Sequence, residues 1–309
     1  MNIREIEILK VFRNISNQFL DNVFRIFSFL GEQYFVIAII FIVFFFIDKK
    51  IGYRIMYSVL LGLCLNNAIK GLVQRPRPWV IDSDYEPAQV AKPTATGYSF
   101  PSGHSQSITT LGTSLSLEFR KKIIIILSII LIMLVAFSRI FLGVHYVTDV
   151  IVGIMSGLTA SILGFFIMRF AKDEYKKQLL VLIITAICFL PFVFIFFTKD
   201  YDKMAWQKDF YVSWFMLLAF IPGYIIESNF VQMEVSKKFY INLIRFVGCF
   251  AVFGITYIGL KQLFKLPVFP QVGNSFKYVF DGIRYFFVVF NCLGLYPLLF
   301  KKVLFKKEQ

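Results

Sequence analysis

The chain has 309 residues, 58% of them hydrophobic and 17% charged, with a formal net charge of +14. Soluble domains hold about half apolar residues, and the excess here is drawn out in runs long enough to cross hydrocarbon, which excludes an ordinary water-soluble core. The cations stand in clusters between those runs, a positive-inside pattern that argues against a nucleic-acid-binding face.

Residues 1–29 carry Ile8, Phe12, Ile15 and Phe19 at helical steps, with Arg4, Glu5, Glu7, Lys10, Arg13 and Asp21 between them. The spacing predicts an amphipathic helix, lying at the membrane interface or packed on the end of a bundle. The same charges interrupt any apolar run, so no cleavable signal peptide is expected. Nine spanning helices follow, predicted near 30–47, 53–72, 104–119, 122–140, 147–169, 178–197, 210–229, 240–261 and 281–300. The expected fold class is therefore all-α, a polytopic membrane helical bundle.

Clusters at Lys49, Lys50 and Arg54, at Arg120, Lys121 and Lys122, at Arg169, Lys172, Lys176 and Lys177, at Lys237 and Lys238, and at Lys301, Lys302, Lys306 and Lys307 fall at alternate loops. They assign those loops and the C-terminus to the cytoplasm. The N-terminus and the loops near 73–103, 141–146, 198–209 and 262–280 then face outward. The first of these loops holds Pro76, Pro78, Pro87, Pro93, Gly97 and Pro101, which prevent regular structure. Cys64, Cys188, Cys249 and Cys292 are scattered one to an apolar run and read as small hydrophobes, with neither a disulfide framework nor a metal site expected.

The chain has two histidines, His104 and His145, and both fall at outward helix ends. With a helix starting near His145, Asp149 lies one turn on along the same face. Its carboxylate can accept the proton of one imidazole nitrogen and leave the other nitrogen free to attack. Arg139 brings a planar guanidinium suited to phosphate oxygens. Ahead of His104, Pro101 ends one segment, while Ser102 and Gly103 offer a hydroxyl and open backbone N–H groups at a helix N-terminus, an anion cradle. His104 is placed there to protonate a departing oxygen. Lys70 and Arg77 add two cations at the same depth. Such a cluster is costly in a membrane unless it binds an anion, and phosphoryl transfer needs these parts: cations on the equatorial oxygens, an in-line nucleophile and an acid.

Lys70…Arg77-Pro78, Pro101-Ser102-Gly103-His104 and Ser138-Arg139…His145…Asp149 resemble, in order and spacing, the three signature motifs of the type-2 phosphatidic acid phosphatase superfamily, the lipid phosphate phosphatases. The resemblance covers residues 53–150 firmly. It implies a six-helix phosphatase core over 30–197, preceded by the helix at 1–29 and followed over 198–309 by about three extra C-terminal transmembrane helices of no assigned role. It implies that His145 forms a phosphohistidine, that Asp149 orients it, and that His104 protonates the leaving group and then activates water. Lys70, Arg77, Ser102, Gly103 (through its N–H) and Arg139 would hold the phosphate, without metal or other cofactor.

The expected activity is hydrolysis of a lipid phosphomonoester or pyrophosphate at the outer face of a bacterial cytoplasmic membrane. A polyprenyl pyrophosphate such as undecaprenyl pyrophosphate is the first choice, and phosphatidate or phosphatidylglycerophosphate the next. The expected partners are that substrate and membrane lipids, not nucleic acid. Alternatives are a phosphotransferase on the same fold, a soluble sugar-phosphate phosphatase, and a lipid transporter. Arg75 reads as a solvated or headgroup-contacting cation, and Asp82, Asp84 and Glu86 as a solvated loop rather than a metal site. Glu227 reads either as lining a pathway or as snorkelling to the interface.

Overall fold

The computed structural model describes residues 2–197, 201–265 and 276–305. The loop prolines Pro267 and Pro270, Gly273, and the terminal Lys306 and Lys307 lie outside the described residues. The elements run α1 (Asn2–Asn14), α2 (Gln18–Phe29), α3 (Gln33–Ile42, continued by a π turn Val43–Ile47), α4 (Lys49–Val73), α5 (Pro78–Ile81), α6 (Gly103–Phe119), α7 (Lys122–Phe141) and α8 (Val147–Phe170). They continue as α9 (Tyr175–Ile195), α10 (Tyr201–Ile226, ending in a π turn Glu227–Val231), α11 (Phe239–Leu263), α12 (Phe276–Phe290), α13 (Tyr296–Leu299) and α14 (Lys301–Leu304). The fold is all-helical among the described residues.

Among the described residues seven helical segments are long and apolar enough to cross a membrane, and eight if α2 and α3 count as one span bent by 43°. Two expected spans thus differ from the prediction. The one near 30–47 reaches membrane length only together with α2. The one near 104–119 is α6, whose 17 residues open with Gly-His-Ser-Gln-Ser. It is polar because most of its first three turns, from Ser105 to Gly112, are buried against protein rather than lipid. Lipid-facing character lies elsewhere: Ile129, Phe166, Phe194 and Ile255 are all exposed. Such a continuous apolar exterior marks contact with hydrocarbon.

Residues 1–29 form two helices rather than one. The Asn17 side chain accepts the N–H of Leu20 and caps α2, and Arg13 crosses the break to a two-pronged pair with Asp21 at 2.6 and 2.9 Å. On α1 the face carrying Glu5, Ile6 and Leu9 is buried, while Ile8 and Val11 point outward.

The chain forms two compact units. The first comprises residues 1–38 and 61–165. Its interior is polar: Ser99, Ser102, Ser105, Gln106, Thr109, Thr110, Ser138, Arg139 and Asp149 are fully buried. Two small residues let α6 and α8 touch at backbone distance. A Cβ on Gly153 would stand 2.7 Å from the Ser102 carbonyl, and one on Gly157 2.7 Å from that of Gln106. Glycines four apart on one helix face permit such an approach, and Ser161 Oγ donates across the seam to the Thr110 carbonyl at 3.0 Å.

The second unit comprises residues 39–60 and 166–309. Aromatic rings fill it, with Phe44, Phe45, Phe210 and Phe220 fully buried. Glu227 is buried there and accepts from Lys49 Nζ at 2.8 Å, the Tyr53 hydroxyl at 3.0 Å and the Met233 N–H at 2.8 Å. The carboxylate does not snorkel; its charge is met in place. All four cysteines are free, with Cys188 exposed and the other three buried.

Candidate active site

All eight residues expected at the site belong to the first unit, and backbone bonds tie together the segments that carry them. Ser99 N–H donates to the Arg75 carbonyl at 2.8 Å, joining the first motif to the second. Ser102 N–H donates to the Asp149 carbonyl at 2.9 Å, joining the second to the third. Arg77 is buried and adds the rest: its guanidinium donates to the carbonyls of Val144 at 2.8 Å, Thr96 at 2.6 Å and Gly97 at 3.1 Å.

His145 follows a turn in which Gly143 takes a left-handed φ of 71°, a conformation glycine adopts at little cost. The Tyr85 hydroxyl holds that turn by donating to the Gly143 carbonyl at 3.0 Å. Arg77 Nη1 lies 3.0 Å from His145 Nε2. A guanidinium only donates, so Nε2 accepts and the ring proton sits on Nδ1. That proton faces Asp149 Oδ2 at 3.3 Å. Burial, and then the charges of Arg77, Arg139 and Lys70, hold the imidazole well below its ordinary pKa. The ring is therefore neutral at neutral pH, with its lone pair on the atom beside the cations.

Ser102 caps α6, its oxygen accepting from Ser105 N–H. The space beside Gly103 is open: among the described residues a Cβ built there would meet Asn66 Nδ2, at 3.9 Å. His104 is close enough to Arg139, His145, Arg77 and Lys70 for their charges to act on it. Its Nε2 is buried with no hydrogen-bond partner among the described residues, as are Arg139 Nε and Nη2. Among the described residues the Arg139 guanidinium makes one bond, from Nη1 to Ser28 Oγ on α2. Buried polar groups without partners are rare because each costs about 1–3 kcal/mol. Lone-pair and donor groups facing one polar interior fit an anion with several acceptor oxygens.

Sequence reasoning missed several contributors. Arg75, expected to be solvated, donates to Asp149 Oδ1 at 2.8 Å and to Glu5 at 2.9 Å, and its guanidinium stacks 3.8 Å from the centre of the Tyr146 ring. Two carboxylates and an aromatic face outcompete water for it. Ser99 donates to Asp149 Oδ2, as does the Tyr146 N–H at 3.1 Å. Gly31, in the bend between α2 and α3, lies against His104: a Cβ there would stand 2.9 Å from the His104 carbonyl. In the loop, Asp82 pairs with Lys10 at 3.0 Å. Among the described residues no group of three or more histidine, cysteine or carboxylate side chains could hold a metal ion.

Comparison with known proteins gives this arrangement a lineage. An undecaprenyl-diphosphatase of Sulfolobus acidocaldarius is 34% identical over 38% of this chain, and this chain spans 54%, about half, of that relative's length. Phosphatidylglycerophosphatase B of Bacillus subtilis is 28% identical over 53% of this chain and 80% of that protein. The crystal structure of a transmembrane PAP2-type phosphatidylglycerolphosphate phosphatase from Bacillus subtilis aligns over 55% of this chain and 86% of that chain, at 27% identity and a TM-score of 0.47. Residues 52–174, which include every expected site residue, match the PAP2 superfamily, and residues 215–308 match the transmembrane extension of PAP2 superfamily phosphatases, so the chain carries a PAP2 superfamily domain and a PAP2 transmembrane extension.

Proposed function

We propose that the protein is an integral membrane phosphatase that hydrolyses the phosphomonoester or pyrophosphate of a lipid. The observation that carries this reading is a buried, neutral His145 whose Nε2 adjoins Arg77, in a polar interior where Arg139 and His104 keep polar atoms without partners. In the first step His145 Nε2 attacks phosphorus while the bond to the lipid oxygen breaks, and His104 gives that oxygen its proton. In the second, His104 takes a proton from water, whose oxygen attacks phosphorus and breaks the P–N bond. Lys70, Arg77, Arg139, the Ser102 hydroxyl and the Gly103 N–H hold the three equatorial oxygens as their charge develops. Arg77 moves from Nε2 to a phosphate oxygen as substrate enters and frees the lone pair. These steps use no metal ion.

The relatives act on phosphates of membrane lipids by name, and a polyprenyl pyrophosphate is our first choice of substrate, ahead of phosphatidate and phosphatidylglycerophosphate. The alternation of basic loops supports a site on the outer side of a bacterial cytoplasmic membrane. In this reading the catalytic core lies within residues 30–197, and the helices after it are additional transmembrane helices of no assigned role. Protein purified in detergent is expected to release phosphate from one or more of these lipids with EDTA present, and vanadate is expected to inhibit it. Turnover in oxygen-18 water should label the released phosphate. Unlabelled phosphate passed to a second acceptor would make the protein a transferase, and no turnover of any lipid phosphate would remove the reading.

A further inference from the structure

The Asp149 carboxylate serves two masters. Oδ2 meets the His145 ring, the Ser99 hydroxyl and the Tyr146 N–H. Oδ1 takes Arg75 Nη1 at 2.8 Å. Arginine and carboxylate prefer to pair through two parallel bonds, and such a pairing here would bring Arg75 Nη2 onto Oδ2, the oxygen that orients the nucleophile. Nη2 is instead turned the other way, to Glu5 Oε1 at 2.9 Å. Glu5 is itself fixed: it is buried on α1 and accepts the Thr148 N–H at 3.1 Å and the Thr148 hydroxyl at 2.9 and 3.1 Å. Thr148 also accepts Arg75 Nη1 at 2.6 Å, closing the ring of contacts.

We infer that Glu5 is a positioning residue: it holds Arg75 to a single bond on Asp149 and thereby reserves Oδ2 for His145. A carboxylate on the first helix thus acts on the nucleophile through two intermediaries. The amide of glutamine in its place is uncharged and cannot hold the guanidinium against Asp149. Arg75 would then close on both oxygens of Asp149, weaken its bond to Nδ1, and leave the imidazole free to turn out of line for attack.

The inference rests on the phosphatase reading, so turnover by the unaltered protein and its loss in His145→Ala come first. Glu5→Gln is then expected to lower kcat about tenfold with KM within a factor of about two, the cost of misorienting a bound nucleophile. The chain has two histidines, so nitrogen-15 histidine labelling reads their ring N–H groups without any turnover, His104→Ala assigning the signals. The His145 Nδ1–H proton should be hydrogen-bonded and protected in the parent and exchange faster with water in Glu5→Gln. The decisive measurement is the double variant Glu5→Gln/Arg75→Gln, which should regain activity over Glu5→Gln because the competing guanidinium is gone. A double variant no better than the single, or a Glu5→Gln protein with kcat and Nδ1–H exchange unchanged, would overturn the inference and leave Glu5 a structural staple. Should Glu5→Gln not fold, Glu5→Asp keeps the charge on a shorter arm. It is expected to lose roughly threefold in kcat and to be relieved by Arg75→Gln in the same way, with absence of relief counting against the inference.

Discussion

Replacing His145 with alanine is expected to abolish turnover, by at least ~10²-fold and more if the phosphohistidine route is the only one. Nε2 is a buried neutral lone pair set beside Arg77, and alanine leaves nothing there to attack phosphorus. His104→Ala should cost at least ~10²-fold as well, but differently. It removes the proton from the leaving oxygen and the base for water, so a substrate with an acidic leaving group, such as a nitrophenyl phosphate, should lose much less than the natural ester. The double variant should be little worse than either single, since the two rings act in one sequence. Phosphate release at the parent rate by His145→Ala would sink the assignment of the nucleophile.

Replacing Arg139 with methionine is expected to move activity and stability in opposite directions. The guanidinium is fully buried, bonds Ser28 through one nitrogen, and leaves Nε and Nη2 without partners among the described residues. A buried, half-satisfied cation is a cost in the ligand-free protein, about 1–3 kcal/mol for each group of this kind. Methionine fills similar space without that cost. The variant should therefore melt at a higher temperature than the parent while losing ~10²-fold or more in kcat/KM, the usual scale for removing one donor from an oxyanion site. Vanadate should raise the parent's melting temperature and leave the variant's unchanged. A variant that is both inactive and less stable would mean that Arg139 chiefly holds α7 to α2.

How much of this could be read from the sequence followed from the range of each interaction. Membrane helices announce themselves residue by residue, and Lys70, Arg77, His104, Arg139 and His145 are of types that a lipid phase tolerates only for a reason. Asp149 was legible because its partner lies one helical turn away. Arg75 was misread because the Glu5, Thr148 and Tyr146 that surround it stand far off in sequence, and no spacing rule links them. The break at Asn17 was missed because the apolar rhythm of 1–29 continues through it, while the cap that interrupts it depends on a single side chain. The polar α6 was placed correctly but taken for an ordinary span. Its serines and threonines face α8 across the Gly153 and Gly157 contact, which is a matter of shape rather than of hydropathy.

The bend at Gly31 has a practical consequence for anyone handling the protein. The backbone of His104 is braced there from outside its own helix, and the neighbouring Ser28 anchors Arg139, so one elbow of the first fifty residues props both. Amphiphiles or heat that loosen that elbow are expected to lower turnover before the helices come apart. A monodisperse chromatography peak is therefore no guarantee of a working preparation, and extraction conditions are better chosen by turnover than by particle size.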